Sequence, residues 1–379
     1  MSHLTTLGQL ITPAPIVKCG EGSYPVLSMT MRDGIVLQSD RFKKSLASTD
    51  QSNYKVVKLG QLVVGFPIDE GVLYVQKVID EGIMSPAYNV WNINTNLVNA
   101  DYLELALHSP YAMDYYKSKL RGTTARRRTL PTRELLALPL PLPDFETQAK
   151  IVANIRKATE LITLRKEQLA KLDQLVKSRF IELFGGCGEH KRLEEYAALI
   201  TKGASPKWQG VDYCGEGTLF VTSENVREGY MDLSKRKYLD DKINEIQPRS
   251  MLKRNDILIN IVGASIGRAA VYDCDEVANI NQAVALVRID YSQINQIYLM
   301  TFLNSPQAIE MYGKMKKGGA RDNLSLQNIA DLQIPVAPIE LQNQFAAFVE
   351  ETDESKLAIQ QSLDKLELLK KSLMQEYFG

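Results

Sequence analysis

Two stretches decide the fold: Pro141-Leu-Pro-Asp-Phe-Glu146-Thr-Gln148, opening a run that ends at Phe184-Gly185, and Pro335-Val-Ala-Pro-Ile-Glu340-Leu-Gln342, opening one that ends at Phe378-Gly379. Sliding the second back by 194 positions needs no gap and pairs Leu169 with Leu363, Leu172 with Leu366, Leu175 with Leu369, Lys177 with Lys371 and Ser178 with Ser372. Fourteen of the 45 pairs are identical, where ordinary residue usage gives roughly three. The chain therefore carries an internal duplication. Proline-punctuated runs, Leu138 to Pro143 and Leu332 to Pro338, precede both copies. Missing N–H groups keep helices and central strands from continuing through them, so the helices begin after them.

Within the first copy, apolar residues fall at Ile151, Ile155, Ala158, Ile162, Leu169, Leu172, Val176 and Leu183; in the second they fall at Phe345, Val349, Ile359, Leu363, Leu366 and Leu373. Steps of three and four mark a coiled-coil seam and not a membrane span. Ile155, Ile162, Leu169, Leu172, Val176, Ile359, Leu363, Leu366 and Leu373 are thus the expected helix–helix and subunit interface. Each helix is about 55 Å long, too long for one small domain to bury. Residues 148–185 hold eight basic and four acidic side chains, and 342–379 hold four and seven. Opposite net charge favours pairing of the two copies with each other.

A chain of 379 residues has room for two or three domains. Its 45 Lys plus Arg balance 45 Asp plus Glu, so any attraction to nucleic acid must be local. The four cysteines are scattered, with three histidines to join them, and reduced thiols rather than a zinc site are expected. Without a signal peptide or an apolar run near 18 residues, the expectation is a soluble, cytoplasmic protein.

The segments ahead of the helices repeat more faintly. Ser28-Met-Thr-Met-Arg32-Asp33-Gly34 lines up with Ser223-Glu-Asn-Val-Arg227-Glu228-Gly229, and Lys58 to Val64 with Lys253 to Ile259, both at an offset of 195. Tyr102, Ser109-Pro110, Tyr116 and Gly122 meet Tyr298, Ser305-Pro306, Tyr312 and Gly318 at 196. Alternating or apolar runs at 24–27, 56–64, 72–78, 218–222, 257–262 and 283–289 predict strands. Tyr102 to Leu120 and Gln296 to Met315 predict helices, each restarted at its Ser-Pro. The expected fold class is α+β: two similar mixed domains, 1–143 and 187–337, joined by two long antiparallel coiled-coil helices, 144–186 and 338–379, with a pseudo-twofold repeat.

Catalytic signatures are missing. There is neither a GxxxxGK[ST] loop nor a GxGxxG fingerprint after a strand, and no HExxH. Ser109-Pro110-Tyr111 lacks the asparagine of a methyltransferase Asn-Pro-Pro-Tyr loop, and Glu354-Ser-Lys356 lies on a helix without the paired strand acid of a nuclease. The expectation is therefore a protein with no catalytic, cofactor or metal residues of its own. What remains is cations in glycine-containing turns suited to phosphate: Arg126, Arg127 and Arg128 after Gly122, and Lys316, Lys317 and Arg321 around Gly318-Gly319. A solubilising loop is the plainer use of the same residues. Ser28, Thr30 and Arg32, with Ser223, Asn225 and Arg227, hold groups able to read base edges, or simply to cap turns. Lys207 beside Trp208, and Ser265 with Arg268 in a glycine hairpin, complete the candidate DNA contacts.

The whole chain resembles the specificity subunit of type I restriction-modification enzymes. The resemblance is carried by Asn255-Asp256-Ile-Leu-Ile-Asn-Ile-Val-Gly263-Ala-Ser-Ile-Gly267-Arg268, by Ile83-Met-Ser85-Pro86-Ala-Tyr88, by Gly319-Ala-Arg321, and by the Pro-x6-Gln opening of each helix. It implies two target-recognition domains, each reading half of a bipartite asymmetric site on double-stranded DNA, with the helices setting the spacer. It further implies two docked modification subunits carrying S-adenosylmethionine and restriction subunits carrying ATP, with no cofactor in this chain. A specificity chain serving a fused methylase-nuclease, or a scaffold binding protein only, would share the same helices.

Overall fold

The computed structural model describes residues 3–31, 33–41, 50–120, 130–315 and 323–379. The chain folds as two compact units, Met1–Lys166 with Gln361–Gly379, and Glu167–Gln360. Two 40-residue helices, the central Phe145–Phe184 and the terminal Ile339–Phe378, each contribute one portion to either unit. Both open three residues ahead of the glutamines that mark the repeat.

In the first unit the sheet order is Ile11–Pro13, Asn89–Ile93, Leu62–Val64, Leu73–Val75, all antiparallel. The second unit repeats that order with Ala197–Lys202, Val284–Ile289, Ile257–Asn260 and Ala269–Val271. A two-stranded ribbon closes each unit: His3–Thr6 against Pro139–Leu142, and His190–Arg192 against Gln333–Pro335. The proline runs therefore do form strands, in ribbons with one partner, where a missing N–H leaves nothing unpaired on the far side. The second unit adds a mixed sheet whose parallel pair is Thr218–Val221 with Ala278–Ile280.

Two strand expectations need correction: the one placed at 24–27 begins only at Leu27 and runs to Thr30, Pro25 having no N–H to give a ladder. The apolar run at 56–64 is two strands in different sheets, because Gly60 turns the chain at φ +83° and Gln61 N–H closes back on the Lys58 carbonyl. Lys55–Lys58 pairs with Glu81–Met84, while Leu62–Val64 joins the four-stranded sheet. The Ser-Pro positions do restart helices: Ser109 Oγ accepts from Ala112 N–H at 3.2 Å ahead of Pro110–Lys119, and Ser305 Oγ accepts from Ala308 N–H at 3.3 Å ahead of Pro306–Met315.

A polar latch, made the same way in both units, holds the long helix to the cap of a short helix and to the end of the proline run. Gln148, 1% exposed, accepts the Asn99 N–H at 2.8 Å and donates to the Pro143 carbonyl at 2.8 Å. Asn99 in turn caps the helix Ala100–Leu107, and Tyr102 on that helix donates its hydroxyl to the Pro141 carbonyl at 2.8 Å. In the second unit Gln342 accepts from Asn295 N–H at 2.9 Å and donates to the Ala337 carbonyl at 2.8 Å, while Tyr298 donates to the Pro335 carbonyl at 2.8 Å. Burial pushes both tyrosine hydroxyls well above their ordinary pKa, so they stay protonated donors.

Around the latches the helices pair antiparallel within each unit. In the first, Ile151, Val152 and Phe378 share the core, Asn154 donates to the Tyr377 hydroxyl at 3.0 Å, and Lys166 meets Glu367 at 2.9 Å. In the second, Phe180 and Phe184 pack on Phe345 with centroids 5.4 and 5.6 Å apart, and Lys356 meets Asp173 at 2.8 Å. Ile155, Ile162 and Leu363 are buried, and Leu169, Leu172, Val176, Ile359, Leu366 and Leu373 are half-buried. Leu161, Leu164, Leu175, Leu357, Leu368 and Leu369 instead lie exposed.

Replacing Gln148 with Met keeps the length of the side chain but strands a half-buried N–H and a half-buried carbonyl, at about 1–3 kcal/mol for each orphaned group. Urea unfolding of Gln148→Met is expected to show a loss of about 2–4 kcal/mol; an unchanged midpoint would remove the latch from the account.

Candidate nucleic-acid interface

In the first unit Ser28 and Thr30 lie on strand Leu27–Thr30, paired with Gly34–Leu37. Thr30 Oγ1 accepts from Asp33 N–H at 2.9 Å and Ser28 Oγ accepts from Gln38 Nε2 at 3.3 Å, so both hydroxyls help shape their own hairpin. The Tyr74 hydroxyl donates to the Met31 carbonyl at 3.0 Å, and Arg41 ion-pairs with Asp33. Arg32, Arg126, Arg127, Arg128, Lys316, Lys317 and Arg321 lie outside the described residues.

Ser223 to Arg227 of the second unit form a turn leading into a short hairpin bridged between Val226 and Met231. Asn225 was expected to offer an amide to base edges, and the structure puts it to another use. It is buried; its Oδ1 accepts from Thr222 N–H and Oγ1 at 2.9 and 3.1 Å, and its Nδ2 donates to the Asp232 and Lys235 carbonyls at 2.9 and 3.3 Å. All of that hydrogen bonding goes to the loop itself. Cations nearby are largely neutralised: Arg227 pairs with Asp232 at 3.3 Å, Lys237 with Glu224 at 3.1 Å, and Arg236 with Glu276. The Lys237 ammonium holds the Glu224 carboxyl below its ordinary range, and Ser234, through its hydroxyl and backbone N–H, with Arg227 adding to it, does the same for Asp232.

Ser265 and Arg268 lie on the connection between Ile257–Asn260 and Ala269–Val271. Ser265 is half-buried in a 3-10 turn; Arg268 is exposed and makes no ion pair with another described residue. Gly267, at φ +89°, has the Tyr312 ring where a Cβ would stand, at 2.5 Å, so no larger residue fits there. Lys207 and Trp208 ride the 3-10 turn Pro206–Gln209, with Trp208 86% exposed.

The structure brings the 223–227 and 263–268 loops together through a residue that the sequence reading passed over. Asn260, 0% exposed, donates from Nδ2 to the Ser223 and Val226 carbonyls at 3.0 and 3.2 Å. Its backbone N–H donates to the Arg268 carbonyl at 2.9 Å, and its carbonyl accepts from Gly267 N–H at 2.9 Å. The signal was an asparagine inside the apolar run Ile257–Val262, a place where a polar side chain needs a reason. No hydrogen bond ties Lys207 into this cluster among the described residues.

Beneath it, Arg288 grips Asp256, 0% exposed, through Nε–Oδ1 at 2.7 Å and Nη2–Oδ2 at 2.6 Å, while Asp256 also accepts from Lys253 N–H at 2.7 Å. The first unit builds the same turn with neutral groups. There Gln61 accepts from Lys58 N–H at 2.8 Å and donates to Asn92 at 2.8 Å. Among the described residues no three His, Cys, Asp or Glu are grouped to hold a metal, and no helix is long and apolar enough to cross a membrane.

Residues 209–368 match the family model described as the type I restriction modification DNA specificity domain. Over 304 residues the chain is 25% identical to the type I restriction enzyme EcoBI specificity subunit of Escherichia coli, covering 71% of this chain and 64% of that one. It is 23% identical over 194 residues to the putative type I restriction enzyme MjaX specificity subunit of Methanocaldococcus jannaschii, covering 50% and 45%. The chain thus spans less than two thirds of these curated relatives. In fold it is similar to a chain from a solved type I restriction-modification system, with TM-score 0.65, 17% identity and coverage of 100% and 97%. It is likewise similar to a type I S subunit from M. genitalium, with TM-score 0.55, 13% identity and coverage of 100% and 96%.

Asn225 and Arg268 should separate cleanly by stability. Asn225→Ala removes a buried loop cap and is expected to cost about 1–3 kcal/mol in urea unfolding, whereas Arg268→Ala should stay within about 0.5 kcal/mol of the parent. Equal effects would contradict the assignment of one to the fold and the other to the surface.

Proposed function

We propose that this chain is the DNA-recognition subunit of a type I restriction-modification complex, a reading supported by the match of residues 209–368 to the type I restriction modification DNA specificity domain and by the 25% identity to a type I specificity subunit. Each unit reads one half of a bipartite site. The observation that carries this reading is a contrast: both units repeat one sheet order and one glutamine latch, yet they present different loops. Equal frames with unequal tips suit an asymmetric target.

Contacts in the second unit are Arg268 and Lys207 to phosphate, with Ser223, Ser265 and Arg227 at the base edges once Asp232 yields its partner. Ser28, Thr30 and Arg32 serve the base edges in the first unit, with Arg126, Arg127 and Arg128 there, and Lys316, Lys317 and Arg321 in the second, completing the phosphate contacts. A neutral chain gains little from long-range attraction, so binding rests on these local cations and on partners. Two modification subunits, bringing S-adenosylmethionine, dock on the helices, and restriction subunits bring ATP. Leu175 and Leu369, repeat mates that are 48% and 49% exposed, support equivalent docking positions in the two units. The work is done where the DNA is, in the cytoplasm.

If the helices set the spacer, removing one turn, about four residues, from the stretch Arg165 to Lys177 and four from the facing stretch Lys356 to Glu367 should shorten the methylated motif's spacer and leave both half-sites unchanged. Methylation mapping that finds the parental spacer would count against this. Arg268→Gln should weaken binding to all duplexes alike and lower the salt slope by about one; a chain that only scaffolds protein would be indifferent.

A further inference from the structure

We infer that Asn260 is a positioning residue for specificity: it sets the distance between the two loops of the second unit that meet DNA, and through them the bases which that unit accepts. The inference rests on the proposed DNA-recognition function. Four hydrogen bonds converge on Asn260. Two from its amide hold the Ser223 and Val226 carbonyls, and two from its backbone hold Gly267 and Arg268. Among the described residues no other one hydrogen-bonds both segments, here with the side chain to one and the backbone to the other. Its remaining atom, Oδ1, is buried with no hydrogen-bond partner. A residue chosen only to fill this strand position would be apolar like its neighbours Ile257, Leu258 and Ile259, and would leave no orphaned acceptor. The amide donors are what the position needs.

The repeat makes the same point by contrast. Gly65 stands opposite Asn260 at the offset of 195, and a Cβ there would meet Met29 Cε and Val72 Cγ1 at 3.1 Å and Tyr88 Cε1 at 3.3 Å. In the first unit the strand carrying Ser28 and Thr30 is thus held by apolar packing of Met29. In the second unit the corresponding loop is held by two hydrogen bonds with fixed direction. A change at Asn260 should therefore act on one half-site alone.

Asn260→Asp is nearly isosteric but replaces the two donors with a carboxylate facing two carbonyls. Asn260→Ser is the second variant, small enough to fold without the bridge. Both are assayed as full-length chain assembled with its modification subunits, by selection from a duplex library randomised in both half-sites. Thermal unfolding is recorded beside each selection. The expected result is that preference within the second unit's half-site falls about tenfold or more, while the other half-site and total duplex binding stay within about twofold. Unchanged preference in both halves overturns the inference. Equal loss in both halves, or failure of both variants to fold, also overturns it by making Asn260 a purely structural residue. Absence of half-site preference in the parent chain would defeat the proposed function itself, and is seen before any variant is made.

Discussion

Everything in each unit depends on a buried glutamine whose amide joins a long helix to the cap of a short one. Gln148 and Gln342 each accept from the N–H of a capping asparagine and donate to a carbonyl of the proline-rich run. The proline run is what makes this useful. It carries carbonyls with few competing N–H groups, so a side-chain amide and a tyrosine hydroxyl become its partners. The ribbon strand, the capped helix and the long helix are thus tied at one point by directional bonds rather than by apolar contact alone.

Apolar packing then supplies the bulk of the adhesion. Phe180 stacks on Tyr298 and Phe184 meets it edge-on in the second unit, both also packing on Phe345, and Phe378 packs on Tyr102 in the first. The latch tyrosines are therefore also the seats of the partner helix. A helix end, a short capped helix and a proline ribbon meet at one residue, which couples helix pairing to the fold of each globular part. Surface ion pairs such as Lys166–Glu367 and Asp173–Lys356 add register more than stability.

Much of this was legible in the amino-acid order, for reasons that differ by element. The long helices and their seam were visible because a gapless repeat carries both period and proline boundaries. Pro141, Gln148, Tyr102 and their mates were visible as matching letters, but their role was not, since a hydrogen bond between residues 49 apart leaves no local pattern. The break of the run at 56–64 hid behind good strand propensity, overridden by one left-handed glycine. Asn225 looked like a base reader because an exposed amide and a turn cap use the same residue type; only its burial and partners distinguish them. Lys58 to Val64 and Lys253 to Ile259 aligned correctly, and the structure explains how one turn tolerates either Gln61 with Asn92 or Asp256 with Arg288. Loop residues that touch DNA obey no periodicity, and so they stayed a set of candidates.

The central proposal is that two like units, differing at their loops, read two halves of one site, with the helices setting the spacer. Its most direct test is single-molecule mapping of methylated bases in DNA from cells expressing this chain with its modification subunit. The account predicts one asymmetric motif, two specified blocks separated by an unspecified spacer of constant length, with a methylated adenine in each block. A continuous motif, a palindromic one, or a spacer that varies from site to site would contradict it.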